Sequence, residues 1–173
     1  MNSQEQNQTP LTLVQNHPYK EFRRPISVII ADLSKPIPAK YLSTRRQGKA
    51  NLTFVSWYHA CILLNRCAPG WRGEITNVCT TADRIILTYR LTIAAEEGDF
   101  WREATGTELL KEQKEVWIGE GDDRQKLIDS IGRPVTESRE LAYGDPSSNA
   151  ESMAFRRAAA KFGLGLYLYD KEG

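Results

Sequence analysis

The sequence predicts an α+β fold: an antiparallel β-meander of three or more strands, with a helix before the sheet and a long helix after it. Three observations carry this. Arg84 to Ala94 alternates, with Ile85, Leu87, Tyr89, Leu91 and Ile93 on one face and Ile86, Thr88, Arg90 and Thr92 on the other. Glu96-Glu97-Gly98-Asp99 then reads as a hairpin loop, and Phe100 to Thr107 as the returning strand. Far downstream, Phe155, Ala158, Ala159 and Phe162 recur at helical spacing, and the small alanines let such a helix lie close against a sheet.

Composition bounds the rest. At 173 residues the chain is most simply one domain, a core over 25–170 preceded by a polar, Gln- and Asn-rich tail over 1–24 that reads as disordered. A hydrophobic content of 40 % with 26 % charged residues is that of a soluble globular protein. No apolar run approaches the roughly 20 residues of a membrane span, and no signal-peptide pattern opens the chain, so a cytoplasmic location without membrane contact is expected. Cys61, Cys67 and Cys79 form no CxxC pair and read as reduced, buried thiols. His17 and His59 are too few and too far apart to suggest a metal site. With a net charge of +1, any affinity for nucleic acid must come from local clusters of cations.

In chain order, Ile26, Ile29, Ile30 and Leu33 fall at helical spacing, with Pro25 placed at the first helical position; the β-branched content argues for a strand instead, and Pro36 and Pro38 end the element either way. Lys40 to Lys49 (Lys-Tyr-Leu-Ser-Thr-Arg-Arg-Gln-Gly-Lys) is the most basic run and reads as a loop, suited to a phosphate backbone or simply solvated. Phe54 to Ala68 reads as the second helix, with Phe54, Trp57, Tyr58, Cys61, Leu64 and Ala68 as its apolar stripe and Pro69-Gly70 as its stop. Trp57 and Tyr58 lie on that stripe and are assigned to the core rather than to a base-stacking platform, and His59 to the surface. Gly73 to Cys79 is a short strand. Arg84, Arg90 and Arg102 are assigned to cross-strand pairing with Glu74 or Glu103 rather than to a second basic surface.

The stretch from Glu108 to Ser148 is charge-dense, with a short helix expected around Arg124 to Ile131, and reads as a long excursion between the meander and the last helix. Ser148 as N-cap and Glu151 as its capping-box partner open that helix, with Pro146 just upstream. Gly163 stops it, and Leu164 to Tyr169 follows as an apolar, aromatic tail. Arg156, Arg157 and Lys161 project from its remaining faces, Arg157 and Lys161 as i,i+4 neighbours. By spacing alone these cations are a solvated helix face as readily as a site.

Nothing in the sequence requires catalysis. There is no GxxxxGK[ST] phosphate loop, Gly163-Leu164-Gly165 follows a helix rather than a strand, and no cysteine or histidine sits in a nucleophile-activating set. Glu112-Gln113-Lys114 is only a fragment of what a metal nuclease needs. No cofactor and no metal are expected.

Pro38-Ala-Lys-Tyr-Leu-Ser-Thr-Arg45, the Trp57-Tyr58 helix ending in Ala68-Pro69-Gly70-Trp71, and the meander in the same order together resemble the first half of the Rad-fifty-two-type single-strand annealing proteins. Tyr143 to Tyr169, with its paired arginines and Phe162-Gly163 tail, is similar to the closing helix of that family and closest to its bacterial and phage branch, which includes the DNA damage response protein A group. The resemblance spans roughly residues 26–169. It implies a long helix packed across the sheet, a ring or open helical homo-oligomer, and sequence-independent binding of single-stranded DNA that anneals complementary strands without nucleotide hydrolysis. It places Arg45, Arg156 and Arg157 at backbone contacts of an inner groove. The family's further basic position on that helix falls at Ala160 here, and Lys161 is added from helix spacing. Arg46 and Lys49, in the same basic run as Arg45, complete the expected DNA-binding set. Three rivals stand beside this reading: an oligomer that protects DNA ends without annealing, a metal-dependent nuclease using acidic residues such as Asp122 or Asp123, and an RNA-binding module.

Overall fold

The computed structural model describes residues 23–48, 50–140 and 145–170. Most of the expected tail, residues 1–22, and Lys49 therefore lie outside the described residues. The meander forms as read: β3 (Arg72–Thr80), β4 (Arg84–Ala95) and β5 (Gly98–Leu109) make an antiparallel sheet in the order β3-β4-β5. The β4–β5 register runs unbroken from Arg84↔Leu109 to Ala95↔Gly98, so Glu96 and Glu97 alone form the connecting turn.

The inward alternation of β4 sets the core. Leu87, Tyr89, Leu91 and Ile93 are buried together with Ile29, Leu33, Leu64 and Phe162. Each of these large side chains contributes roughly 2 kcal/mol through removal from water. The last helix, α3 (Pro146–Ala160), lies across β4 and β5 on this face, with Ala150, Ala154 and Ala158 fully buried. The approach is so close that a Cβ on Gly106 of β5 would sit 1.8 Å from the Ala150 carbonyl oxygen.

The first helix, α1 (Ile26–Leu33), is a helix rather than a strand, and long-range contacts help to hold it. Pro25 precedes it and offers no side-chain cap. The Glu97 carboxylate of the β4–β5 turn accepts instead from the Ile26 N–H at 2.9 Å, and the Glu96 N–H donates to the Arg24 carbonyl at 3.0 Å. Thus the turn of the meander caps a helix about seventy residues away.

Elsewhere the expectations need correction. Of the run read as a loop, the described residues Lys40 to Gly48 are not one: a single 3₁₀ turn at Ala39–Tyr41 leads into β1 (Leu42–Gln47), which pairs antiparallel with β2 (Ala50–Val55) around Gly48. Gly48 has φ 62°, the left-handed turn conformation that glycine adopts without strain. Phe54 therefore belongs to a strand, and α2 (Trp57–Cys67) starts three residues later than its apolar stripe suggests. The shorter helix buries Ala60 and Leu64, leaving Trp57 and Tyr58 55 % and 47 % exposed rather than in the core. His59 is half-buried, with Nδ1 3.0 Å from the Tyr41 carbonyl oxygen.

The excursion contains no helix over 124–131. β6 (Lys111–Glu115) pairs with β9 (Thr136–Glu140), β7 (Trp117–Ile118) with β8 (Gln125–Lys126), and Ile128 bridges Pro134. Opposite charges face each other at Lys111↔Glu140, Glu112↔Arg139 and Lys114↔Glu137, a cross-strand pattern that favours a ladder over a helix. The N-cap of α3 is Asp145, not Ser148. The Asp145 carboxylate accepts from the Ser148 N–H at 3.0 Å, and Pro146 takes the first helical position, where its missing N–H is harmless. That hydrogen bond, helped by Ser147, holds the Asp145 carboxyl below its ordinary pKa. Of the thiols, Cys61 and Cys67 are half-buried and pushed up by that burial, whereas Cys79 is exposed because β3 is an edge strand.

Candidate nucleic-acid interface

The β1–β2 hairpin and α3 face each other across a cleft of about 200 Å³. In the hairpin register Arg45 opposes Leu52 and Ser43 opposes Phe54, so Arg45 and Phe54 share a face. From the other wall, α3 contributes Met153, Arg156 and Arg157. Val55, Ala159, Leu164 and Leu168 add apolar lining, and Tyr169 stands at one side. Gly165, in the left-handed region at φ 64°, turns the chain after α3 so that Leu168 and Tyr169 come back to the cleft.

Two cations share one ring. The Arg45 and Arg156 guanidinium carbons lie 5.7 and 5.4 Å from the Phe54 centroid. Each such contact contributes on the order of 1 kcal/mol. Arg156 is held from behind by its Nε–H donating to the Ser152 carbonyl at 2.9 Å. Burial, with repulsion from Arg45 and Arg157, lowers the Arg156 pKa from the ordinary guanidinium value, while Tyr169 opposes the shift. The group stays protonated at any working pH, so the arrangement amounts to concentrated positive charge. Among the described residues no ion pair uses Arg45, Arg156 or Arg157. Arg90, by contrast, is neutralised as expected, by Glu103 at 2.9 Å and Glu74 at 3.4 Å. Arg84 pairs with its neighbour Asp83 rather than across the sheet. Arg102 has no carboxylate partner among the described residues: it lies over the Phe162 ring at 5.2 Å and donates to the Trp101 carbonyl.

The expected residues thus divide. Arg45 and Arg156 meet over Phe54. Arg157 lines the same cleft but turns its Nη1 to the Thr105 carbonyl of β5, at 3.0 Å. Lys161 does not reach the cleft; its ammonium bonds the Glu103 carbonyl on β5. Arg46, one residue along the strand from Arg45, projects to the other face and donates to the Gly48 carbonyl. Ala160 is buried, so a cation there would enter the core. Phe54 went unrecognised because it was assigned to a helix; the alternation of Leu52, Phe54 and their neighbours was the signal for a strand.

In shape and charge the cleft suits an extended anion with flat apolar parts. Forked guanidinium groups grip phosphate oxygens without reading sequence, and an apolar, aromatic floor accepts sugars or bases. Among the described residues, no three or more His, Cys, Asp and Glu gather as a metal site would require, and no helix is long and apolar enough to cross a membrane.

No protein-family model matches the chain. Two relatives from Arabidopsis thaliana do. The mitochondrial DNA repair RAD52-like protein 1 is 30 % identical over 157 residues, covering 90 % of this chain and 73 % of that protein. The chloroplastic DNA repair RAD52-like protein 2 is 35 % identical over 152 residues, covering 86 % of this chain and 62 % of that protein. With a cleft between the hairpin and α3 whose arginines join no ion pair among the described residues, and identity at that level over most of both chains, the protein belongs to the RAD52-like family of DNA repair proteins.

Proposed function

We propose that this protein acts in DNA repair and recombination by binding single-stranded DNA and annealing complementary strands without ATP. The observation that carries the proposal is the pair Arg45 and Arg156 over Phe54, joined in no ion pair among the described residues and backed by Arg157. Phosphates held there leave base edges free to test a second strand, which is what annealing needs. About four contacts per protomer give a salt slope near −3 on single strands, and a ring or helical homo-oligomer multiplies the sites. Local charge of this kind reconciles DNA binding with a net charge of only +1. Resemblance of the closing motif to the bacterial and phage branch supports a cytoplasmic, nucleoid-associated setting.

The test is annealing of two complementary labelled oligonucleotides in EDTA without ATP, comparing wild type with an Arg45→Ala/Arg156→Ala variant of matched fold and assembly. Acceleration by the wild type, lost in the variant, is the expected result. Binding without acceleration would replace annealing by end protection, magnesium-dependent cleavage by a nuclease, and preference for a matched RNA strand by an RNA-binding module.

A further inference from the structure

Beyond the cleft, the outer edge of β5 is lined by cations in a row. β5 pairs with β4 on one side only. On its free side three alternate carbonyls each accept from a positive side chain: Trp101 from Arg102, Glu103 from Lys161, Thr105 from Arg157. Three concavities follow one another along this line and share residues. The cleft shares Arg157 and Tyr169 with a hollow lined by Ala104, Thr105 and Lys161. That hollow shares Lys161 with a third, lined by Asp99, Phe100, Trp101, Arg102 and Glu103, the two carboxylates being held by Arg72 and Arg90. Trp101 is 53 % exposed, with Arg90 over its ring at 4.9 Å. Among the described residues, none of the ion pairs engages Arg102, Arg157 or Lys161.

Resting on the proposed function above, we infer that a single strand does not end its path through a protomer at the cleft, but continues over the C-terminal half of α3 and along the β5 edge, to Arg102 and Trp101. A carbonyl is a weaker partner for a guanidinium or ammonium than a phosphate, so each cation exchanges its carbonyl for a passing phosphate. Trp101 gives the far end an exposed ring on which a base stacks, sequence-tolerant because every base has a π-face. The inference extends the DNA-binding set to Trp101 and to Arg102, which sequence reasoning assigned to cross-strand pairing.

The experiment measures fluorescein-labelled oligo-dT binding across a salt series, with assembly size followed in parallel. Variants are Arg102→Gln, Arg102→Lys, Trp101→Ala, Arg45→Ala, and Arg84→Gln as a charge control away from the track. The expected result is that Arg102→Gln weakens binding about threefold to tenfold and flattens the salt slope by about 0.7, the value of one phosphate contact on a single strand. Arg102→Lys restores the slope, Trp101→Ala weakens binding at least fivefold, and Arg84→Gln matches wild type. If Arg45→Ala loses binding while Arg102→Gln and Trp101→Ala match wild type, the path ends at the cleft and this inference fails alone. If Arg102→Gln changes assembly size but not DNA affinity, the edge belongs to a protomer contact and the inference is overturned. If the wild type binds no oligo-dT, the proposed function falls and the inference with it.

Discussion

The sheet β3–β5 with α3 and the arm β6–β9 are both antiparallel β structure, yet they are held by different forces. The sheet buries Leu87, Leu91 and Ile93 under alanines of α3, with Gly106 permitting backbone contact. The arm sets opposite charges in facing registers, pairs Lys114 with Glu112 and Arg139 with Glu137 along its strands, and leaves Trp117, Ile118, Ile128 and Ile131 exposed by 42 %, 52 %, 48 % and 68 %. Apolar burial is worth kilocalories per side chain, whereas exposed ion pairs contribute at most about 1 kcal/mol. The site is thus mounted on the apolar-packed part: α3 carries Arg156 on the helix whose other face is packed on the sheet. The arm is the part whose sequence can vary without moving it.

The largest effect that breaks this contrast is Gly106→Ala. A methyl group against the Ala150 carbonyl forces α3 off the sheet, and a loss of about 3 kcal/mol is expected in chemical denaturation, with DNA binding impaired because Arg156 moves with the helix. Glu97→Ala is next. It removes the cap that the meander supplies to α1, at about 1 kcal/mol, with no change at the cleft.

A third prediction concerns pH. Burial, then the nearby Glu151 and Cys61, pushes the Tyr89 phenol up to about 12 from an ordinary 10.0. A raised folded-state pKa means that the neutral phenol's contribution is complete below about pH 10 and is lost as pH climbs towards 12. Tyr89→Phe is expected to flatten that alkaline limb of a thermal-melt series. At the acid end, Asp145 is depressed by its bond to Ser148, so the α3 cap is present above the ordinary carboxyl range and lost as pH falls below it. Smallest of all, Arg139→Ala in the arm is expected to shift stability by under about 0.5 kcal/mol, and by less at high salt. Hydrogen exchange sharpens the contrast: arm amides open at low free energy, while β4 amides wait for global unfolding.

How far the sequence could be read follows the same division. β4 was legible because one face is buried, which writes period two into Leu87 to Ile93; α3 was legible because alanines at helical spacing have one purpose against a sheet. Arg45 and Arg156 were reached through resemblance, and helix spacing alone left Arg156 on a solvated face. Phe54 was misassigned because an aromatic run continues the apolar stripe of α2 into the preceding strand, and apolar periodicity cannot tell a strand end from a helix start; Trp57 and Tyr58 are helical as read, but in the first turn of α2 they stand exposed rather than in the core. The arm was illegible since a ladder exposed on both faces carries no hydrophobic period.

The meander, α3 and the positions of positive charge are written in the chain, because they depend on local periodicity and on side-chain chemistry. Tertiary structure alone decided which cations converge. Arg45 and Arg156 stand 111 residues apart in the numbering and meet only because the hairpin register turns Arg45 and Phe54 to one face and α3 is docked opposite. Arg157, one position on from Arg156, and Lys161, the C-cap of the same helix, lean to β5 instead, since a helix advances about 100° per residue and the next position faces another wall. Charge is written in the chain, but convergence belongs to packing.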